Sequence, residues 1–338
     1  MTRFVLRRLA GSAVVLLGLS LITFALARVI PSNPAATYIG PKARPDDVAR
    51  VAHQLGLDRP LPLQYLTYMA QMLTGDWGTS IGTKRAVLPE ILGRLPATLE
   101  LIFAAMLIAI PVGIGLGILS ARWQGHLPDV GVRVVALIGV SLPAFFLGLI
   151  LQVVFFRNLG WLPLTGRTDS DLRFVAPITS ITGVYLVDSL LTLNLHAALD
   201  VGYHLILPAL TLALYPIGLI ARMTRASMIE TLGRDHIRAA RAFGISERRI
   251  VGRLALRNAL LPVLTVIGLV MAYSLTGSFF VEVVFGWPGL GTFAVKGILN
   301  VDYPVIMGIT LFGAAFYVVI NLVVDILQGV LDPRIRVA

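Results

Sequence analysis

Residues able to do chemistry are sparse in this sequence, and their spacing excludes more reactions than it permits. The chain has no cysteine, so disulfides, thiolate metal sites and cysteine nucleophiles are ruled out together. Its five histidines, at 53, 126, 196, 204 and 236, stand alone without HExxH-like spacing, which suits interfacial or loop positions better than metal or haem ligation. A phosphate-cradling P-loop needs a Gly-Lys-Ser/Thr run whose lysine reaches the terminal phosphates. The only lysines are Lys42, Lys84 and Lys296, and none follows a glycine, so the chain has no Walker A site. No His, Asp and Ser set falls at helical spacing within an apolar run, which argues against an intramembrane protease. What remains is small polar and acidic residues in or beside apolar segments. Ser274, Thr276, Gly277 and Ser278 interrupt "MAYSLTGSFFVE", and Ser141 and Pro143 interrupt "GVSLPAFF". The hydroxyls either line a hydrated path or let helices pack closely. Glu282 and Asp302 either meet a ligand's ammonium group or satisfy local helix ends and loops.

The elements that must hold these residues are set by composition. Of 338 residues 57% are hydrophobic and 14% charged, against about a quarter charged in soluble domains, so this is a membrane protein. A bilayer core needs about 20 apolar residues as a helix. Stretches at roughly 9–30, 98–121, 131–156, 258–281 and 305–331 meet that requirement, and a shorter sixth at about 204–221 contains Pro208 and Pro216, which neighbouring helices can accommodate. The N-terminal run is too long for a signal-peptide core and reads as an uncleaved span.

Six spans with both termini cytoplasmic place the N-terminus, residues 122–133, residues 222–257 and the C-terminus on one side. Those segments then hold the whole formal charge of +10, while external acids and bases balance. That satisfies the positive-inside rule and leaves no basic surface for nucleic acid. A seventh span at 174–193 would break the rule, so this stretch is an external interfacial or re-entrant segment, with Asp188 keeping it from crossing. The expected organisation is a first span over 1–30, an external helical subdomain over 31–97, and a five-helix core over 98–338. In the subdomain, "DDVARVAHQLGL" predicts a helix stopping at Gly56. "LPLQYLTYMAQMLTG" predicts a second, with Leu63, Leu66, Met69 and Leu73 at helical spacing before Gly75. Capping a pore mouth and docking an external protein fit this region equally well.

The densest basic stretch, "RAARAFGISERRIVGRLALRNALLP" (238–262), follows the fourth span. A helix over "SMIETLGRDHIRAARAF" puts Ile229, Ile237, Ala240 and Phe243 on one side and Arg234, Arg238 and Arg241 on another. Gly244 ends it, and Ser246 is expected to cap the next helix with its hydroxyl. Arg249, Arg253 and Arg257 then recur every four residues, a stripe that snorkels to lipid phosphates. Topology and lipid anchoring account for the later arginines. They do not account for a short helix, a glycine break and a second cap, which build a protruding hairpin whose alanines allow another protein to approach closely.

"RAARAFG" followed by "ALRNALLP" resembles the EAA loop of ABC importer membrane subunits, with Arg238, Ala239, Ala240 and Gly244 matching Glu-Ala-Ala, three residues, Gly. The leading glutamate is here an arginine, and Leu261-Pro262 lies further past the glycine than in the commonest version. "GLDRPLPLQY" (56–65), "GDWGTS" (75–80), "RLPATLEL" (94–101), "HLILPALTL" (204–212), "VEVVFGWPGLG" (281–291) and "DYP" (302–304) resemble the B-type permease of dipeptide and oligopeptide importers. The likeness covers nearly the whole chain. It implies an all-α type I importer fold in a bacterial inner membrane, forming half of a heterodimeric pore with a homologous second permease. It also implies an external substrate-binding protein and two cytosolic ATPases that bind the ATP and Mg, with no cofactor in this chain. Asp235, Arg238, Ala239, Ala240, Arg241, Gly244 and Ser246 would then form the segment that couples to an ATPase. Short peptides are the implied cargo, with nickel and glutathione importers in the same family. The rival class, an ion-driven secondary transporter, usually carries mid-membrane ionisable residues. Here Glu100 and Asp325 lie near span ends.

Overall fold

A computed structural model of the chain describes residues 2–29, 44–54 and 58–331. The expected helix stop at Gly56 and the C-terminal arginines lie outside these residues. Everything regular among them is helical; a single β-bridge joins Thr79 to Ala86. In chain order the α-helices of seven or more residues are α1 (Thr2–Val29), α2 (Pro45–Gln54), α3 (Leu61–Thr74), α4 (Val87–Arg122), α5 (Leu127–Ser141), α6 (Ala144–Leu151), α7 (Tyr185–Leu191), α8 (Leu195–Leu232), α9 (Asp235–Ala242), α10 (Leu256–Val284), α11 (Leu290–Leu299) and α12 (Tyr303–Leu331). Two π-helical stretches continue these, Gln152–Asn158 after α6 and Ile250–Ala255 before α10.

α4, α8, α12 and the run Glu247–Val284 are each long and apolar enough to cross a bilayer. α1 carries a shorter apolar stretch, Ala10–Ala25. The third span was expected to be continuous over 131–156. It is instead two helices, Leu127–Ser141 and Ala144–Asn158, bent by 108°. The cause is local: Pro143 cannot continue the helix and pushes Leu142 into the extended region, at φ −80° and ψ 129°. The bent pair still crosses the protein from end to end. Asp129, near its start, pairs with Arg225 beyond the apolar part of α8, whereas Gln152, near its close, donates to the carbonyl of Val284 at the other end of α10. It is one broken span, and with the four long helices it makes five among the described residues, α1 adding the shorter apolar stretch.

α4 and α8 are the central pair. At 36 and 38 residues they run to about 55 Å at 1.5 Å per residue, well past a ~30 Å hydrocarbon core. The second span's helix begins at Val87 rather than at Thr98, so its first turns belong to the 31–97 region. Glycines let the backbones meet. A Cβ on Gly117 would lie 2.4 Å from the Thr224 Cβ and 2.7 Å from the carbonyl oxygen of Ala221, and one on Gly113 would lie 2.8 Å from Ile220. α5 approaches α8 in the same way, with Gly139 against the Leu214 carbonyl and Gly218 against that of Ala136. Lipid tails are as apolar as the helix faces, so this close fit supplies much of the association energy. Gly117→Val should therefore lower stability by about 1–2 kcal/mol, read as a lower Tm of the purified protein in detergent, while Gly115→Val, which meets open space, should not.

Candidate functional site

The basic end of the bundle carries a short protruding hairpin. α9 is rooted by Ile237 and Ala240, both buried, against Met228 of α8, Ala121 of α4, and Ile250, Ala255 and Ala259 on the way into α10. The hairpin thus rests on the ends of three spans. Its turn needs a glycine: Gly244 has φ +72°, with open space around it, so the requirement is conformational rather than steric. The amides of Gly244 and Ile245 close back on the carbonyls of Arg241 and Ala240 at 2.9 and 3.1 Å, which satisfies the end of α9. Arg241 donates to Glu247 across the turn at 2.6 Å, and this bond raises its pKa above the ordinary arginine value. Arg238 and Asp235, both well exposed, make a looser pair at 3.4 Å.

Two local expectations are corrected here. Ser246 occupies the N-cap position, but its hydroxyl makes no capping bond; its carbonyl accepts from Arg249 and Ile250 instead. Phe243 does not join Ile237 and Ala240 on the inner side. α9 ends at Ala242, so the helical periodicity stops there, and the Phe243 ring is 87% exposed. With Ala239 and Ala242, also exposed, it gives the hairpin an apolar tip ringed by Arg238, Arg241 and Asp235.

The same end of the bundle holds a buried ionic joint that charge counting alone treats as topology. The Asp129 carboxylate, 1% exposed, accepts from Ser120 of α4 at 2.5 Å, from the amide of Gly125 at 3.0 Å, and from Arg225 of α8 through two nitrogens at 2.7 and 3.0 Å. Arg133 approaches the same carboxylate at 3.6 Å. One side chain therefore ties α4, α5 and α8 together, and Ser120 adjoins Ala121 of the hairpin's root. The legible signal was an acid among arginines at a span boundary.

At the opposite end, Glu282 and Asp302 are fully occupied within the fold. Glu282 is buried at the end of α10 and accepts from Thr98 (2.6 Å), Ser278 (3.4 Å) and the amides of Gly291 (2.6 Å) and Thr292 (3.2 Å). It thereby offers its oxygens as acceptors to the first turn of α11, whose amides have no partner within the helix. The Thr98 hydroxyl accepts from Leu290, and Trp287 donates to the carbonyl of Ala97, so "RLPATLEL" and "VEVVFGWPGLG" are two halves of one joint. A Cβ on Gly289 would fall 2.5 Å from both the Glu282 and the Thr98 oxygens, leaving no room for a side chain there. Glu282→Gln removes the charge but keeps an acceptor, and should cost about 1 kcal/mol, seen as a modest Tm loss. Asp302 accepts from Ser80 (2.6 Å) and Gly82 (2.9 Å), fastening the 78–86 turn to the start of α12.

The same end holds a second pair. Arg167 donates to Glu100 at 2.6 Å and to the carbonyl of Gly183 at 2.7 Å, and its guanidinium stacks 3.6 Å over the Tyr185 ring. Asp188 accepts from the amides of Ile181, Thr182 and Gly183 and from the Thr182 hydroxyl. Burial opposes its charge, but the bonds from Thr182, Ile181 and Gly183 outweigh burial and hold its pKa below the ordinary carboxylate value. The 174–193 region accordingly begins in the last residues of the four-residue helix Leu172–Val175 and leads through a turn into the seven-residue α7, with no span.

Of the path candidates, Ser274 and Ser278 turn into the bundle, and their hydroxyls bond the carbonyls of Val270 and Leu275. Ser141, at the break in the third span, and Thr276 are exposed. The face they occupy joins the third and fifth spans, where the half-exposed rings of Phe145 and Phe280 lie 6.3 Å apart. No cluster of three or more His, Asp or Glu side chains placed to hold a metal occurs among the described residues.

Long apolar helices, buried ion pairs near their ends and an exposed hairpin define a polytopic membrane protein. The chain belongs to the family of inner membrane components of binding-protein-dependent transport systems: that family matches residues 113–337, and its N-terminal membrane-component family matches residues 1–102. The chain is 45% identical over 329 residues to a probable D,D-dipeptide transport system permease protein of Escherichia coli, covering 97% of this chain and 96% of the relative. It is 44% identical to a di/tripeptide transport system permease protein of Pseudomonas aeruginosa, covering 99% of each. A glutathione transport system permease protein of Salmonella choleraesuis is 38% identical, again over 99% of each chain.

Proposed function

We propose that this chain is one half of the translocation pore of an ATP-driven importer of di- and oligopeptides, with both termini in the cytoplasm. Family membership and the peptide-transport names of its relatives at 44–45% identity support the cargo class. The observation that carries the mechanism is the apolar tip of Ala239, Ala242 and Phe243, presented on a hairpin rooted in three spans. An apolar knob on the cytoplasmic side, in a chain without a nucleotide site, fits a groove of a partner ATPase that binds ATP and Mg. Asp235, Arg238, Ala239, Ala240, Arg241, Gly244 and Ser246 form the coupling segment, with Ala240 inside it as a root and Ala239 at the contact. ATPase closure pushes α9, and the Asp129 joint passes the movement to α4, α5 and α8 as a rigid body.

A homologous second permease closes the path along the face that holds Ser141, Phe145, Thr276 and Phe280, and an external binding protein delivers the peptide. Glu282 and Asp302, spent on α11 and the 78–86 turn, keep that end in shape rather than meeting cargo. The test is co-purification of the permease pair with its two ATPases, comparing wild type with Ala239→Glu and Gly244→Pro. Both variants should lose the ATPases while the permeases stay paired. Normal assembly with substrate-stimulated ATP hydrolysis in both would refute the coupling role.

A further inference from the structure

α3 lies in the segment between the first two spans, where a water-exposed helix is the ordinary expectation, yet its 14 residues include no charged side chain. Pro60 starts it, and Gly75 ends it at φ +86°. Its inner side carries Tyr65 and Tyr68, which pack on Phe24 of α1 with ring centroids 5.4 and 5.9 Å apart and join Tyr303 and Met307 in the first turns of α12. Its outer side is a helical stripe of Leu63, Leu66, Thr67, Ala70, Leu73 and Thr74, all exposed, with Leu66 and Leu73 at 62% and 83%. The two threonines on that stripe return their hydroxyls to the carbonyls of Leu63 and Ala70, so they ask nothing of water. A helix beside an aqueous phase turns charges outward and leucines inward; this one is reversed.

Depth decides what covers the leucines. The Tyr65 hydroxyl lies 2.8 Å from that of Ser20, within the apolar Ala10–Ala25 stretch of α1 and roughly 14 Å short of that helix's end at 1.5 Å per residue. α3 is therefore level with the hydrocarbon part of the first span, not beyond it. Leu17 and Leu21, in the same apolar stretch of α1, are likewise half-exposed. At about 21 Å α3 is too short to cross.

We infer that α3 is a membrane-embedded helix of the outer leaflet, its Leu63, Leu66 and Leu73 in contact with acyl chains, and that it braces α1 and α12 from the lipid side. The bilayer is its partner, and Gly75 and Asp76 mark where the chain returns to the headgroup region.

The chain's lack of cysteine makes the experiment clean. Single nitroxide labels at L63C, L66C and L73C are placed in the assembled importer, in nanodiscs of phosphatidylethanolamine and phosphatidylglycerol, with L17C as the lipid reference and D46C as the water reference. Collision rates with oxygen and with a water-soluble nickel chelate are then read by EPR. The inference expects the three labels to follow L17C, with collisions with the chelate lost relative to D46C and those with oxygen retained. Labels that collide with the chelate like D46C would leave the face in water, free for an external protein, and would overturn it. Labels immobilised and shielded from both reagents would place a protein subunit over the leucines, and would overturn it equally. Neither result bears on the coupling hairpin at the opposite end.

Discussion

Phe243→Asp is expected to abolish import while leaving the permease folded. The ring is almost wholly exposed, so its loss costs the isolated chain little, within about 0.5 kcal/mol for an ordinary surface site. On the coupling role proposed above it would be an aromatic anchor at the centre of a contact, the class of residue whose removal costs about 2 kcal/mol or more, or roughly a 30-fold loss of affinity. Placing a carboxylate in that pocket adds the cost of burying a charge. Titrating the permease pair with the ATPases should show this weakening together with an unchanged Tm. Affinity within about threefold of wild type would mean that Phe243 lies outside the contact. Ala240→Glu is a poorer probe, because Ala240 is a root of the hairpin and the change would unfold α9 directly.

The second large effect is on the ionic joint at the same end. Asp129→Ala leaves Arg225 facing a low-dielectric corner without its partner. A fully buried pair broken in this way costs about 3–5 kcal/mol. Arg225 keeps about a quarter of its side chain exposed, which brings the expectation to roughly 2–3 kcal/mol. The double change Asp129→Ala with Arg225→Leu should recover much of that loss, since an apolar pair leaves no orphaned charge. Stability and transport should then part company. The double variant should fold and bind the ATPases, yet import less per ATP hydrolysed, because α5 no longer moves with α8. If its coupling ratio equals that of wild type, the joint is only a staple.

Much of this architecture can be read from the residues alone, because bilayer thickness and arginine placement are strong constraints. Most of the spans and the absence of a crossing at 174–193 follow from them, while the break at Gly244 follows from glycine itself. What escapes such reading depends on where a period stops. Phe243 shares a helical face with Ile237 only if α9 continues, and it ends one residue earlier. The 108° bend in the third span was signalled by Pro143, but hydropathy averages over a single proline. Arg249, Arg253 and Arg257 are all exposed as expected, yet the π-helical Ile250–Ala255 stretch lies within their stripe. The roles of Glu282 and Asp302 were open because an acid at a helix end suits cargo or capping equally. Only Thr98 and Ser80, far away in sequence, show what the carboxylates bond.

The central claim is that work enters through the hairpin from ATP hydrolysed elsewhere. The most direct measurement is uptake of a labelled dipeptide into proteoliposomes holding this chain, its permease partner and both ATPases, with the binding protein outside. Internal ATP is compared with an imposed proton gradient. ATP-dependent accumulation that disappears with Phe243→Asp, and none under the gradient alone, is the predicted result. Accumulation by this chain alone under the gradient would contradict the account.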